Sequence, residues 1–333
     1  MALLRSARTP AGFAWITLVA LAMLWIIVPS GAIVRLTDSG LGCPDWPLCE
    51  GRVVSASAHH ALIESTNRVL SGIVGVVAVV TFLAALWLPG APRGLRALAG
   101  GLALATALQI PLGAITVASG LHPMAVGAHF LLSMVALALA TLLAIRARDH
   151  RDGRARRWEP RRGVMAAFVA AAALTVLVTG VVVTAAGPHS GDDDVTERFG
   201  DLVVAADVHV KAAFGFTALA LVLVAWLWRE GGVDRLTRRA AVAAVPLVAL
   251  QIGLGEYQYR NGLPWEVVVL HVTNAGLVWA AIVALCWGVA RPAGAPGHLR
   301  REATRWQGTQ RTESGSTRNR PSGISEPQST QIP

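Results

Sequence analysis

Eight long apolar runs, separated by short segments rich in arginine or in acidic residues, constrain this chain more than any other feature. They fall at 13–34, 61–88, 95–118, 123–146, 163–186, 203–228, 237–258 and 265–290. A helix rises about 1.5 Å per residue and a bilayer core takes about 20 apolar residues per crossing, so each run is long enough to span. Inside lipid the backbone must satisfy its own polar groups, which leaves helices or a closed barrel. A barrel strand alternates polar and apolar over about 10 residues, and these runs do not alternate. The pattern predicts an all-α polytopic membrane protein. The charge content agrees: 15% of residues are charged, against about 25% in soluble domains. The first run follows Arg5 and Arg8 as a signal peptide's would. It is nevertheless longer than the roughly 7–15 residues of a signal h-region and reads as a retained span.

The chain has 29 basic and 20 acidic residues, net +9, and Lys211 is its single lysine. A basic excess can indicate nucleic-acid binding. Here the arginines sit between apolar runs, as cytoplasmic loops require, so no nucleic-acid partner is expected. Arg5 and Arg8, Arg93 and Arg96, the cluster from Arg146 to Arg162, and Arg229 to Arg239 all fall on one side. The other side carries Asp192, Asp193, Asp194, Glu197 and Asp201. The positive-inside rule then places both termini in the cytoplasm, in a multi-pass protein of the cell (inner) membrane. Residues 292–333, rich in Arg, Ser, Thr, Gly, Pro and Gln, have no apolar face to bury and are expected to be a disordered cytoplasmic tail. Their arginines can touch anionic lipid headgroups.

The chain contains an internal duplication. Gln109-Ile-Pro-Leu-Gly113 resembles Gln251-Ile-Gly-Leu-Gly255 at an offset of 142 residues, which also carries His129 onto His271 and Asn67 onto His209. Ser30-Gly31 matches Thr179-Gly180 at an offset of 149. Spans 1–4 and 5–8 therefore read as two copies of a four-helix unit. Four being even, the copies share one orientation and form parallel four-helix-bundle repeats. The expected divisions are 1–150, 151–291 and the tail 292–333.

Of nine histidines, His129, His209 and His271 lie inside spans. Ionisable residues there are costly and are candidates for function. His209 and His271 each lie about six residues into spans of the same direction, roughly 10 Å deep. Two imidazoles at one level in an apolar bundle suit the axial positions of a haem iron. Zinc would want four ligands, usually with Cys or carboxylates close by, and no such set is evident. In the first half His129 is matched by Asn67, a poor iron ligand. Glu64 lies one turn before Asn67. It either pairs with Arg68 at the interface or converges with Asn67 and His129 on one cavity. The second half thus reads as a closed haem site, and the first as a site with one open position beside an acid. Arg68 and Lys211, near the outer ends of their spans, can pair with haem propionates or snorkel to the interface.

The first outer loop holds Cys43 and Cys49 on the oxidising side, where they can form a disulfide. A structural clip and a redox role both remain open for the pair.

These residues together resemble the haem A synthase family of bacterial and mitochondrial inner membranes. The resemblance rests on Gly31-Ala-Ile-Val-Arg-Leu-Thr-Asp-Ser-Gly-Leu41, Cys43-Pro-Asp-Trp-Pro-Leu-Cys49, Ile63-Glu64 with Asn67-Arg68, and Gly187-Pro-His-Ser-Gly-Asp192. The two Gln-Ile-x-Leu-Gly runs and the three histidines complete it, and it covers residues 13 to about 290. It implies an oxidoreductase that converts haem O to haem A, oxidising a ring methyl to a formyl group by two hydroxylations. It implies a haem b held by His209 and His271, a substrate haem on His129 with Asn67 and Arg68 beside it, and Glu64 as the catalytic carboxylate. The cysteine pair matches the disulfide-bearing loop of one class. Implied partners are a haem O synthase, cytochrome oxidase assembly and an unidentified electron donor or acceptor. A homo-oligomer stays open. Many members carry histidine where this chain has Asn67. The alternative from another class is a two-haem electron-transfer cytochrome, which would want four histidine ligands and no Glu64.

Overall fold

The apolar runs become helices where a capping residue or proline precedes them. In the computed structural model, which describes residues 8–231 and 233–292, Thr9 caps the first helix by accepting from the Gly12 amide. Pro10, Pro123 and Pro160 stand at first-turn positions where a missing N–H costs nothing. Glu159, Asp201 and Asp234 accept amide hydrogen bonds from the helices they begin. The result is α1 (Pro10–Leu36), α2 (His59–Trp87), α3 (Arg93–Ala118), α4 (Pro123–Arg151), α5 (Pro160–Ala186), α6 (Leu202–Glu230), α7 (Arg235–Arg260) and α8 (Trp265–Ala290). All eight are long and apolar enough to cross a membrane, and the described residues contain no named strand. The expected spans match these bounds to within a few residues. The largest difference is at the end of α4, which runs on past Arg146 through Arg148 to Arg151. Cations in a last turn favour the helix C-terminus, and Arg148 pairs with Asp152 one turn on. The tail from 293 onward and both termini lie outside the described residues.

The helices belong to one compact unit. Helices α1 to α4 pack in a ring in chain order, closed by α1 against α4. Helices α5, α6, α7 and α8 pack likewise, except that α6 and α7 barely touch. The two rings meet through α4 and α8, flanked by α1 on α8 and α4 on α5. Two indoles tie this seam: Trp25 Nε1 donates to the Thr273 carbonyl (3.3 Å) and Trp279 Nε1 to the Met134 carbonyl (2.8 Å). Each ring has its own apolar core, around Leu95, Leu102, Leu137 and Leu143 in the first and Leu223, Ile282, Leu285 and Val289 in the second.

The ends of the bundle are held differently. At the disulfide end, α3 and α7 finish in the same turn. Gly120 and Leu121 have φ of 62° and 59°, Gly262 and Leu263 of 75° and 59°. A left-handed leucine is uncommon and persists only where its surroundings hold it. Leu121 is wedged against Gly40 and Gly191, where a Cβ on Gly40 would come within 2.8 Å of its Cδ1. Gly40 N donates to the Gly191 carbonyl (2.7 Å), so the first outer loop and the α5–α6 loop are bonded to each other. At the arginine-rich end, buried Arg156 donates to Asp149 of α4, to Asp234 before α7 (2.9 Å) and to the Arg291 carbonyl after α8 (3.0 Å).

Candidate functional site

Three imidazoles lie six or seven residues from the disulfide-end starts of their helices, His129 on α4, His209 on α6 and His271 on α8. Each ring rests on a glycine of a neighbouring helix. A Cβ on Gly113 would lie 3.5 Å from Cε1 of His129, on Gly180 3.1 Å from Cε1 of His209, and on Gly255 3.2 Å from Cε1 of His271. Any larger side chain at the last two positions would press on the ring, so these glycines form the cradles in which the imidazoles lie. Gly113 and Gly255 are the final residues of the two Gln-Ile-x-Leu-Gly runs. The glutamines of those runs set the register. Gln109 Nε2 donates to the His129 carbonyl (3.2 Å) and to Ser133 Oγ (2.6 Å). Gln251 Nε2 donates to the His271 carbonyl (3.1 Å), and its own oxygen accepts from Asn274 (2.7 Å). One helical turn past each glutamine, the glycine meets the imidazole.

In the second half His209 and His271 sit on diagonal helices. One to two turns deeper, a cavity of about 70 Å³ opens between all four helices of that half, bounded by Val176, Phe216, Ile252, Val278 and Ile282 among others. It adjoins the place where α6 and α7 fail to close. Two nitrogen donors stand on diagonal helices, each in a glycine cradle, nearer the disulfide end than the apolar cavity and outside its lining. His209 Nδ1 lies 3.0 Å from Thr179 Oγ1, whose own proton goes to the Thr175 or Val176 carbonyl. With the Thr179 proton on one of these carbonyls, His209 would carry its own proton on Nδ1 and leave the Nε2 lone pair for a metal. His271 Nδ1 is buried, turned toward the Gln251 backbone without making a hydrogen bond of good geometry. Among the described residues no three His, Cys, Asp or Glu side chains come together as a metal-ion set. The residues fit a haem and not a closed zinc site.

The first half has the same plan with different contents. Ser30 stands where Thr179 stands, and its hydroxyl donates to Asn67 Oδ1 (2.9 Å). A Cβ on Gly31, the counterpart of Gly180, would meet nothing within 4 Å. Glu64, only 4% exposed, does not hydrogen-bond to Asn67 or His129. Its Oε1 accepts from Arg68 Nη2 (2.6 Å) and its Oε2 from the Cys43 amide (2.8 Å). Arg68 also donates to the carbonyls of Asp45 and Leu48. Glu64 and Arg68 thus join α2 to the loop that the Cys43–Cys49 disulfide closes. Outside the spans, Asp45 accepts from the Gly51 and Glu50 amides, and these bonds hold its carboxyl below the usual carboxylate range. Lys211 is 74% exposed and pairs with Asp207 (2.6 Å) away from the histidines. The glycine cradles, Ser30 and Thr179 were not singled out by sequence reasoning. The signals for them were the repetition of Gly113 and Gly255 at equal distances before His129 and His271 and the match of Ser30-Gly31 to Thr179-Gly180.

The family comparison decides the wider grouping. Residues 14–283 match the cytochrome oxidase assembly protein family COX15-CtaA. The chain belongs to this family. Among similar curated proteins, the heme A synthase of Symbiobacterium thermophilum is 29% identical over 285 residues, 80% of this chain and 90% of that protein. The heme A synthase of Shewanella oneidensis is 29% identical over 155 residues, 41% of this chain and 46% of that protein. That of Alkalihalophilus pseudofirmus is 33% identical over 138 residues, 41% and 46%. The aligned stretches of the last two span less than half of those relatives' own length. The family match reaches into all eight helices and includes His129, His209 and His271.

Proposed function

We propose that the chain is a haem A synthase of the cell membrane, an oxidoreductase that takes haem O and oxidises one ring methyl to the formyl group of haem A. The observation that carries the reading is the unequal pair of sites built on one plan. One has two imidazoles over glycine cradles, the other one imidazole faced by an amide. A carrier of electrons alone would have its iron positions filled in both halves. The matching neighbour pattern of α1–α4 and α5–α8, and the identical turns at Leu121 and Leu263, support a parallel duplication.

On this reading His209 and His271 would hold a resident haem b, and His129 would hold the substrate haem. The iron, when present, supplies the oxygen and electron-transfer chemistry. The protein's part is placement. Gln109 and Gln251 fix the helix register, and the glycines let the imidazoles approach. Glu64 is the carboxylate we assign to proton transfer in the first half. Both of its oxygens already accept hydrogen bonds, so it takes up a proton by releasing Arg68 or the Cys43 amide. Arg68, held by Glu64 and by loop carbonyls, orders the loop over the site. Lys211 is assigned no propionate, because its charge is paired at the surface. The arginine-rich end faces the cytoplasm. A haem O synthase supplies the substrate and cytochrome oxidase assembly consumes the product.

The test is haem content of the purified full chain. His209→Ala and His271→Ala should each lose the tightly held haem b while keeping first-half binding, and His129→Ala should do the reverse. Full retention of haem b in both of the first two variants overturns the second-half assignment.

A further inference from the structure

Ser30 and Thr179 occupy equivalent positions, one residue before Gly31 and Gly180, and each bonds the residue at the equivalent position on the next helix. The two hydroxyls differ in their surroundings. Thr179 Oγ1 lies within reach of the Thr175 and Val176 carbonyls of its own helix, which free it to accept from His209. Ser30 has no such internal bond; its proton goes to Asn67 Oδ1. A carboxamide whose oxygen is taken in this way has only N–H donors left to offer. Asn67 Nδ2 donates to no protein acceptor among the described residues. The side chain is also shorter than an imidazole, and the surface over Gly31, where the counterpart ring of His209 lies on Gly180, is clear within 4 Å.

We infer that Asn67, oriented by Ser30, is a hydrogen-bond donor facing the open side of the first-half haem, and that it selects a small anionic or polar ligand there in place of a second protein ligand. Ser30 is the positioning residue: it fixes which end of the amide faces the site. The inference rests on the haem reading of the first half. It goes beyond that reading by giving the non-histidine position a task, and by predicting that restoring histidine would close the site. An imidazole at position 67 has room over Gly31, and Ser30 can accept from its Nδ1–H as Thr179 does from His209.

The probe is cyanide, titrated into the ferric, haem-loaded full chain and followed by its visible absorption. The His209–His271 site serves as an unreactive internal reference. The native protein should bind one cyanide per chain. Asn67→His should abolish that binding and raise the proportion of low-spin ferric haem in the electron paramagnetic resonance spectrum. Asn67→Leu should still bind one cyanide, with affinity weaker by roughly two- to tenfold for the lost hydrogen bond. Ser30→Ala should weaken it by a smaller factor, because the amide is freed to turn, and Ser30→Thr should restore it. Unchanged cyanide affinity in Asn67→Leu, or undiminished binding in Asn67→His, overturns the inference. So does a native protein that holds haem on His129 yet binds no cyanide. A native protein whose haem content is indifferent to His129→Ala overturns instead the haem reading on which the inference stands.

Discussion

Replacing Glu64 with alanine separates what the carboxylate does for the fold from what it does for the reaction. The substitution removes the acceptor of Arg68 Nη2 at 2.6 Å and of the Cys43 amide at 2.8 Å. Arg68 has a side chain only 15% exposed, so it is left largely buried without its counter-charge. Removing one member of a buried ion pair costs about 3–5 kcal/mol. Arg68 keeps its bonds to the Asp45 and Leu48 carbonyls, which places the expected loss near the lower end, about 3 kcal/mol. In a protein of this size that lowers the unfolding midpoint by about 4–5 °C. The assay is a double-mutant cycle of Glu64→Ala, Arg68→Ala and the pair, read as thermal midpoints in detergent. Removing both partners leaves no orphaned charge, so the double variant should recover about 1–3 kcal/mol relative to the sum of the single losses. Losses that simply add, within about 0.5 kcal/mol, would refute the view that these residues act together as a loop anchor. The cycle also guards the chemistry: activity lost in Glu64→Ala and regained in the double variant belongs to the loop, while activity lost in both belongs to the carboxylate.

Three further outcomes follow from the same geometry. Gly255→Val and Gly180→Val put branched side chains where a Cβ alone would be 3.2 and 3.1 Å from the imidazoles; each should release haem b from otherwise folded protein, and full haem content in both would remove the cradles from the account. Cys43→Ser opens a disulfide spanning six residues of sequence, for which loop-closure entropy gives a loss of about 2 kcal/mol; a stable but inactive variant would point to a redox role for the pair instead. Burial pushes the Asp234 carboxyl up, but hydrogen bonds from Arg156 and Thr237 and the Arg156 charge outweigh it, so its pKa lies below the ordinary value. A carboxyl lowered in the folded state adds stability that is fully present above its unfolded pKa of about 3.9 and lost as pH falls through the folded value. The thermal midpoint should therefore be insensitive to this network from pH 7 to about 5, and an Arg156-dependent loss in that window would contradict the assignment.

The eight spans were legible because lipid forces a single local solution on each apolar run. Their edges were less so. α4 continues past Ile145 because arginines favour a helix C-terminus, a preference that a search for apolar residues does not register. The histidines stood out by their cost inside spans and by the 142-residue offset. What the sequence concealed was mostly contact between distant segments. Glu64 and Arg68 are neighbours on one helix and their pairing could be anticipated, whereas the Cys43 amide that completes the anchor comes from a loop. Arg156 was one arginine among many in the α4–α5 segment, and only the fold sets it between Asp149 and Asp234. Gly113 and Gly255 were visible as repeat markers, yet their meaning as cradles required the helices to be in register. Lys211 shows the opposite case: its position near the end of α6 suggested an anion nearby, and the structure pairs it with Asp207 one turn away.

The central claim is that this protein makes haem A, and the most direct measurement is of haem products. The full chain would be expressed with a haem O synthase in a host that makes no haem A, and the haems extracted, separated by chromatography and identified by their pyridine-complex spectra. The account predicts haem A or its hydroxylated precursor with the native chain, and unchanged haem O with His129→Ala. Folded, haem b-loaded native protein that leaves haem O unaltered in the presence of a competent electron donor would contradict it and leave a haem-binding electron carrier in its place.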